Sequence, residues 1–149
     1  MKRTLKKLIK TIKSYRNTDS PLISITISKS ALIHNINEFR KINHNNTIIP
    51  VLKSNAYGHG LEIIANELKN ESFPIFAIDS YFEAKLLRNN EIKNSLLIIG
   101  YVKTENINNS KLKNIAYTIT GLETLRQIKR KTKIHLKIDT GMNRQGIRI

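Results

Sequence analysis

A single lysine, Lys53, stands between the apolar run Ile48-Ile49-Pro50-Val51-Leu52 and a polar loop punctuated by Gly58 and Gly60. A helical pattern resumes at Leu61. The order reads as buried strand, lysine, loop, helix, with an amine at a strand's carboxyl end, where α/β barrels keep their chemistry. A partly desolvated primary amine in such a place serves as nucleophile or base. By position alone, though, one lysine among 26 basic residues is more simply a solvated surface group. Tyr57, four residues on, has a hydroxyl that could meet a ligand, although a tyrosine more often packs its ring and wets its hydroxyl. His59, between two glycines, is more simply a local hydrogen-bonding residue than a general base, and no role is assigned to it. Toward the other end, Lys137 and Asp139 lie two apart in a strand pattern and share a face; a structural ion pair is the ordinary outcome. Arg144 follows Asp139 by five residues, in the loop after that strand.

The wording around these residues says more than their types. Lys53-Ser54-Asn55-Ala56-Tyr57-Gly58-His59-Gly60 resembles the pyridoxal-phosphate lysine motif of alanine racemases, Lys-Ala-Asn-Ala-Tyr-Gly-His-Gly, and departs from it only at Ser54. Leu136-Lys137-Ile138-Asp139-Thr140-Gly141-Met142-Asn143-Arg144-Gln145-Gly146 resembles a second block of that family, with Asn143 where glycine is common and Gln145 where leucine is common. The blocks stand in the family's order, and the resemblance runs from about Pro21 to Ile149. It implies a TIM-type (β/α)8 barrel of the fold-type III pyridoxal-phosphate enzymes. It implies that Lys53 carries pyridoxal 5'-phosphate as an internal aldimine and handles the Cα proton on the D-face of alanine. Tyr57 would hydrogen-bond the cofactor phosphate. Arg144 would reach the substrate carboxylate and the cofactor's phenolic oxygen, a task suited to a planar guanidinium that keeps its proton. Lys137 and Asp139 would be supporting residues, the counterpart of Lys137 being carbamylated in some members.

At 149 residues the chain can bury a core of its own, but a complete barrel takes about 250 residues. The expectation is therefore a partial barrel with about five of eight strands. Residues 1–20 form a basic amphipathic extension, and residues 21–149 the N-terminal part of an alanine racemase barrel, without its C-terminal domain. In the family the base on the opposite face of Cα is a tyrosine of the partner subunit's C-terminal domain. The arginine facing the pyridine nitrogen and most phosphate-binding backbone come from later strands. The resemblance thus implies alanine racemisation by a truncated or split N-terminal fragment, inactive alone, that needs a complementing C-terminal chain. Family members are homodimers, cytoplasmic, and serve D-alanine biosynthesis for peptidoglycan precursors. Two other classes stand beside this one: a non-catalytic pyridoxal-phosphate-binding module or decayed gene product, and a basic protein that binds membrane or nucleic-acid surfaces.

The formal charge of +15 and pI near 10.2 would suit nucleic acid or an anionic membrane. Aromatic residues are only 6% and no nucleic-acid-binding motif appears, so no nucleic-acid partner is expected. The excess is spread through a Lys-, Asn- and Ile-rich composition of the kind an AT-rich coding sequence produces. Cysteine is lacking, which removes disulfides, thiolate metal sites and a cysteine nucleophile; no metal is expected. No apolar stretch has the length of a membrane span, and the absence of a signal sequence fits a soluble, cytoplasmic protein. In residues 1–20, Leu5, Leu8, Ile9, Ile12 and Tyr15 form one helical stripe ringed by lysine and arginine. Such a helix can lie on an anionic membrane or act as a transit peptide; the plainer reading is a surface helix or an extension docked on the body.

The elements that must position these residues alternate. Leu22 to Ile27 reads as a strand, and Ser28 or Ser30 caps a helix whose apolar positions are Leu32, Ile33, Ile36, Phe39 and Ile42. Thr47 to Lys53 reads as the strand that delivers the lysine, with Pro50 awkward in it. Leu61–Lys69, Phe82–Asn89 and Leu122–Lys129 read as helices. Phe73–Asp79, Ser95–Gly100, Ile115–Ile119 and Lys133–Asp139 read as strands, and Ile107–Leu112 is unassigned. The alternation predicts parallel pairing with right-handed crossovers, giving five barrel strands counted from Thr47.

Overall fold

The structure, a computed structural model, describes residues 22–148; the amphipathic reading of residues 1–20 lies outside them. Four strands pair in chain order, each parallel to its neighbour: β1 (Phe76–Ile78), β2 (Leu96–Ile98), β3 (Ile115–Ile119) and β4 (Lys133–Leu136). Helices α1 (Lys29–Ile42) and α2 (Leu61–Leu68) precede β1, and α3 (Tyr81–Asn89), α4 (Thr104–Asn108) and α5 (Leu122–Gln127) connect successive strands. Parallel strands in sequence order, each joined to the next through a helix, are the repeating unit of a (β/α) barrel wall.

Register explains why the strands are apolar without interruption. Phe76, Leu96 and Ile115 form one row, and Ile78, Ile98 and Tyr117 the next. All six are buried in one core with Leu61, Ile64, Leu68, Ala84, Leu87 and Ile107 of the helices. The residues that alternate with them, Ala77, Leu97 and Ala116, are buried too, so both faces are covered and period-two polarity is lost. Burial also raises the pKa of the Tyr117 phenol.

Helix termini use the residues expected of them. Ser28, not Ser30, caps α1, its Oγ accepting the Ala31 N–H at 3.3 Å. Ser80 Oγ accepts the Glu83 N–H at 3.2 Å at the start of α3. At the other end of α3, Arg88 donates to the carbonyls of Ile92, Asn94 (2.9 Å), Lys113 (3.1 Å) and Asn114 (3.2 Å). One half-buried guanidinium, its pKa lowered by burial, thus ties together the loops that enter β2 and β3.

Several expectations are corrected. Leu22–Ile27 forms no strand: Leu22, Ile23 and Ile25 are exposed, and no strand among the described residues lies beside them to accept the pairing. The segment read as a strand from Thr47 to Lys53 contracts to a bridge between Val51 and Ala77. There Leu52 N–H donates to Ala77 O at 2.7 Å and Ala77 N–H to Pro50 O at 2.9 Å. Pro50 is tolerated because pairing begins at its carbonyl, on the edge of the sheet, where a missing N–H breaks no ladder beyond it. This edge segment and β1–β4 make the five strand positions. Of the unassigned stretch Ile107–Leu112, the first two residues end α4, which buries Ile107, and the rest is turn and coil. On α1, Leu32, Ile33 and Ile36 pack on the core while Phe39 and Ile42 remain exposed. Ile134 and Leu136 of β4, in line with Tyr117 and Ile119, are exposed as well, since no helix follows β4 among the described residues.

These uncovered surfaces lie at the sheet's edges. An open groove of about 330 Å³, lined by Leu32, Ile36, Val51, Ala56 and Phe73 among others, runs beside the edge segment. Uncovered edges and apolar faces invite pairing with other chains. Sedimentation velocity of the isolated chain should therefore show self-association that grows with concentration; a sharp monomer at every concentration would contradict this. Arg88→Met should lower stability by about 3 kcal/mol, because it leaves several carbonyls without a donor, against about 0.5 kcal/mol or less for the exposed Arg126→Met. Urea midpoints at one protein concentration check the difference.

Candidate active site

Lys53 leaves the edge segment at its carboxyl end and is half-buried. The backbone then changes hand. Ser54, Asn55, Ala56 and Tyr57 have φ of 54°, 57°, 51° and 55°, a left-handed helical turn that Gly58 closes at φ 90°. Non-glycine residues resist this hand by about 1–2 kcal/mol each, so the turn must be held from around it. Ala56 N–H donates to Leu52 O at 2.9 Å, Gly58 N–H to Asn55 O at 3.1 Å and His59 N–H to Ala56 O at 3.1 Å. Leu52 before it and Ala56 within it are buried. Asn55 is fixed on three sides: its carbonyl accepts the Gly60 N–H at 3.0 Å, its Oδ1 accepts the Leu61 N–H at 2.8 Å, and its N–H donates to Glu83 Oε1 at 3.1 Å. His59 Nδ1 lies 2.9 Å from the Ala56 carbonyl, to which it can only donate, so His59 braces the turn locally. Tyr57 is 61% exposed, and the Lys53 Nζ stands 6.0 Å from its ring centre, within cation–π reach.

At the opposite edge, the chain beyond β4 turns back on itself through residues 139–146. Ile147 pairs with Ile138, with Asp139 N–H donating to Ile147 O at 2.9 Å and Ile147 N–H to Lys137 O at 2.8 Å. Asp139 Oδ1 accepts the N–H of Asn143 at 3.0 Å and of Gly141 at 3.1 Å. Those donors, that of Asn143 foremost, hold the Asp139 carboxyl below the usual carboxylate range, and Lys137 adds a smaller push the same way. The ion pairs within 4.0 Å among the described residues do not include Lys137 with Asp139; Asp139 instead caps its own loop. Gly146 has φ 136°, and a Cβ there would sit 2.6 Å from the Asp139 nitrogen, so only glycine lets the loop close. Asn143 takes φ 55°, a conformation that asparagine tolerates better than most residues. Arg144 is exposed on this loop.

All strands being parallel, Lys53 and the 139–146 loop stand at the same, carboxyl end of the sheet. They lie on opposite edges, four strand spacings or about 19 Å apart along the sheet. Residues 27–149 match the family described as alanine racemase, N-terminal domain. The chain belongs to the alanine racemase family. It is 40% identical over 125 residues to an amino-acid racemase of Enterococcus faecalis, covering 81% of this chain and 18% of that protein. It is 31% identical over 144 residues to an alanine racemase of Staphylococcus saprophyticus, covering 91% and 36%. An alanine racemase structure from Clostridium difficile 630 superposes with a TM-score of 0.72 at 31% identity, covering 83% of this chain and 36% of that one. The described sheet is accordingly part of a TIM-type barrel, and the chain spans about a third of the alanine racemases it matches.

The structure gathers the residues singled out in the sequence into two groups. Lys53 and Tyr57 form one, Lys137, Asp139 and Arg144 the other. Glu83 and Asn55 were missed as site residues. A capping pattern, Ser80-x-x-Glu83, is the sequence signal that could have drawn attention to Glu83. One consequence is measurable. A carboxyl whose folded pKa is depressed contributes order that is fully present above its unfolded value of about 3.9 and is lost as pH falls through the lower folded value. The amide NMR signals of Gly141 and Asn143 should therefore titrate together below about pH 4, and Asp139→Asn should abolish the transition. Titration at or above the ordinary aspartate value would contradict the loop geometry.

Proposed function

We propose that this chain carries the lysine-bearing side of a pyridoxal-phosphate-dependent amino-acid racemase whose substrate is alanine or a similarly small amino acid. The observation that carries the proposal is the braced turn directly after Lys53, within a chain of the alanine racemase family. The donor set fits the cofactor in kind. It comprises a half-buried primary amine at a strand end, a phenol exposed beside it, and a guanidinium at the same end of the sheet. Pyridoxal phosphate, when bound, supplies the electron sink for chemistry at Cα. Lys53 Nζ would hold it and carry the proton on one face of Cα, and the Tyr57 hydroxyl would donate to its phosphate. Arg144, a planar fork that stays charged, would bind the substrate carboxylate, with Lys137 and Asp139 supporting its loop.

Racemisation needs acid/base groups on both faces of Cα. We read the second face as the contribution of a complementing C-terminal chain or domain in a homodimeric assembly. Curling of the sheet toward a closed barrel would bring the Lys53 edge and the Arg144 edge together. Among the described residues no helix is long and apolar enough to cross a membrane, and the proposed setting is the cytoplasm, where D-alanine would feed peptidoglycan precursors.

Two measurements test this. Borohydride reduction with pyridoxal phosphate, followed by peptide mapping, should fix the label on Lys53; label spread evenly over many lysines and unchanged in Lys53→Ala would sink the proposal. In heavy water with alanine, residues 1–149 should catalyse Cα exchange without inversion, and Lys53→Ala should abolish it. A missing acid/base group is worth about 10²- to 10⁴-fold. Inversion at enzymatic rates without a complementing chain would overturn the assignment of the second face to another segment.

A further inference from the structure

Glu83 is 9% exposed, yet no cation pairs with it within 4.0 Å among the described residues. A carboxylate in that position is expensive unless hydrogen bonds compensate it. Its partners are backbone amides: Oε2 accepts the Asp79 N–H at 2.7 Å and Oε1 accepts the Asn55 N–H at 3.1 Å. In an ordinary capping box, Glu83 would return to the N–H of Ser80. Here it reaches one residue further back, to the chain leaving β1, and across to the turn that follows Lys53. Among the described residues this is the one hydrogen bond that a side chain distant in sequence makes to Ser54–Tyr57. It falls on the second of four residues held in a left-handed conformation.

We infer that Glu83 is a positioning residue: it locks Asn55 to the end of β1 and so fixes the direction in which Lys53 presents its amine. The inference rests on reading Lys53 as the cofactor lysine. Glutamine at 83 keeps the shape but has one acceptor oxygen in place of two, so one of the two amides loses its partner and the bridge opens. Arg88, at the far end of the same helix, holds the fold without touching the lysine turn, and serves as the control.

The test uses the full chain as wild type, Glu83→Gln and Arg88→Met. It measures the rate of borohydride-trapped pyridoxal-phosphate labelling at Lys53 beside site-resolved amide hydrogen exchange. Glu83→Gln should slow Lys53 labelling ten-fold or more and deprotect the Asn55 amide, leaving Ala77 and Leu97 protected. Arg88→Met should loosen the sheet amides while Lys53 labels at no less than half the wild-type rate. Labelling by Glu83→Gln equal to wild type would overturn the inference. So would deprotection spread equally over Asn55 and the sheet, the mark of a merely structural residue. Should wild type fail to label at Lys53, the cofactor reading falls. Asn55 exchange then still decides about Glu83: selective deprotection upholds its hold on the turn, and an unchanged amide refutes it.

Discussion

The left-handed turn after Lys53 is the constraint on which the rest of the site depends. Four consecutive non-glycine residues with φ near +55° represent a backbone penalty of roughly 4–8 kcal/mol, a large fraction of a domain's net stability. Such a conformation persists only where its surroundings over-determine it. The surroundings here do. Leu52 is buried before it and Ala56 within it, Asn55 makes four hydrogen bonds through three different atoms, His59 returns to Ala56, and Gly58 ends it. A right-handed turn would carry the chain from the strand end into α2 along another path. The lysine side chain, two residues before Asn55, inherits its direction from this arrangement.

Helix α3 connects that turn to the stability of the whole sheet. Glu83 in its first turn gathers the amides at the carboxyl ends of the edge segment and β1, and Arg88 in its last turn gathers carbonyls at the amino ends of β2 and β3. The signs suit the groups they meet: an acceptor-only carboxylate takes N–H donors, and a donor-only guanidinium takes C=O acceptors. A barrel wall separates its functional and structural ends in this way, and a single nine-residue helix serves both.

Periodicity made much of the fold legible. Alternating apolar runs and helical stripes located β1–β4 and helices α1, α2, α3 and α5; β3 has the bounds of its apolar run, while β1, β2 and β4 are shorter because pairing stops where a partner's hydrogen bonds stop. The lysine's place at a strand end was legible for the same reason. What failed was whatever depends on a distant partner. Leu22–Ile27 has the alternation of a strand but no neighbour, and Phe39, Ile42, Ile134 and Leu136 have core side chains but no cover. The hand of the turn was also hidden, since Ser54, Ala56 and Tyr57 give no hint of positive φ and only Asn55 and Gly58 do. Asn143 is instructive in the opposite sense. The family commonly has glycine there, and its φ of 55° shows why asparagine is an acceptable exchange.

The two groups of site residues differ from each other in what they need. The Lys53 turn is braced entirely by residues 52–83, and the Arg144 loop by Asp139 and the pairing of Ile147 with Ile138. The Arg144 loop is therefore built by contacts close in sequence, whereas the Lys53 turn also draws on Glu83 of the next βα unit, 28 residues from Asn55. Their separation is another matter, because it is set by the number of strands between them and by the curvature of the sheet that carries them. Contacts within and between adjoining βα units thus shape each group, and in the proposed site closure of the barrel is the step that would bring the two groups together.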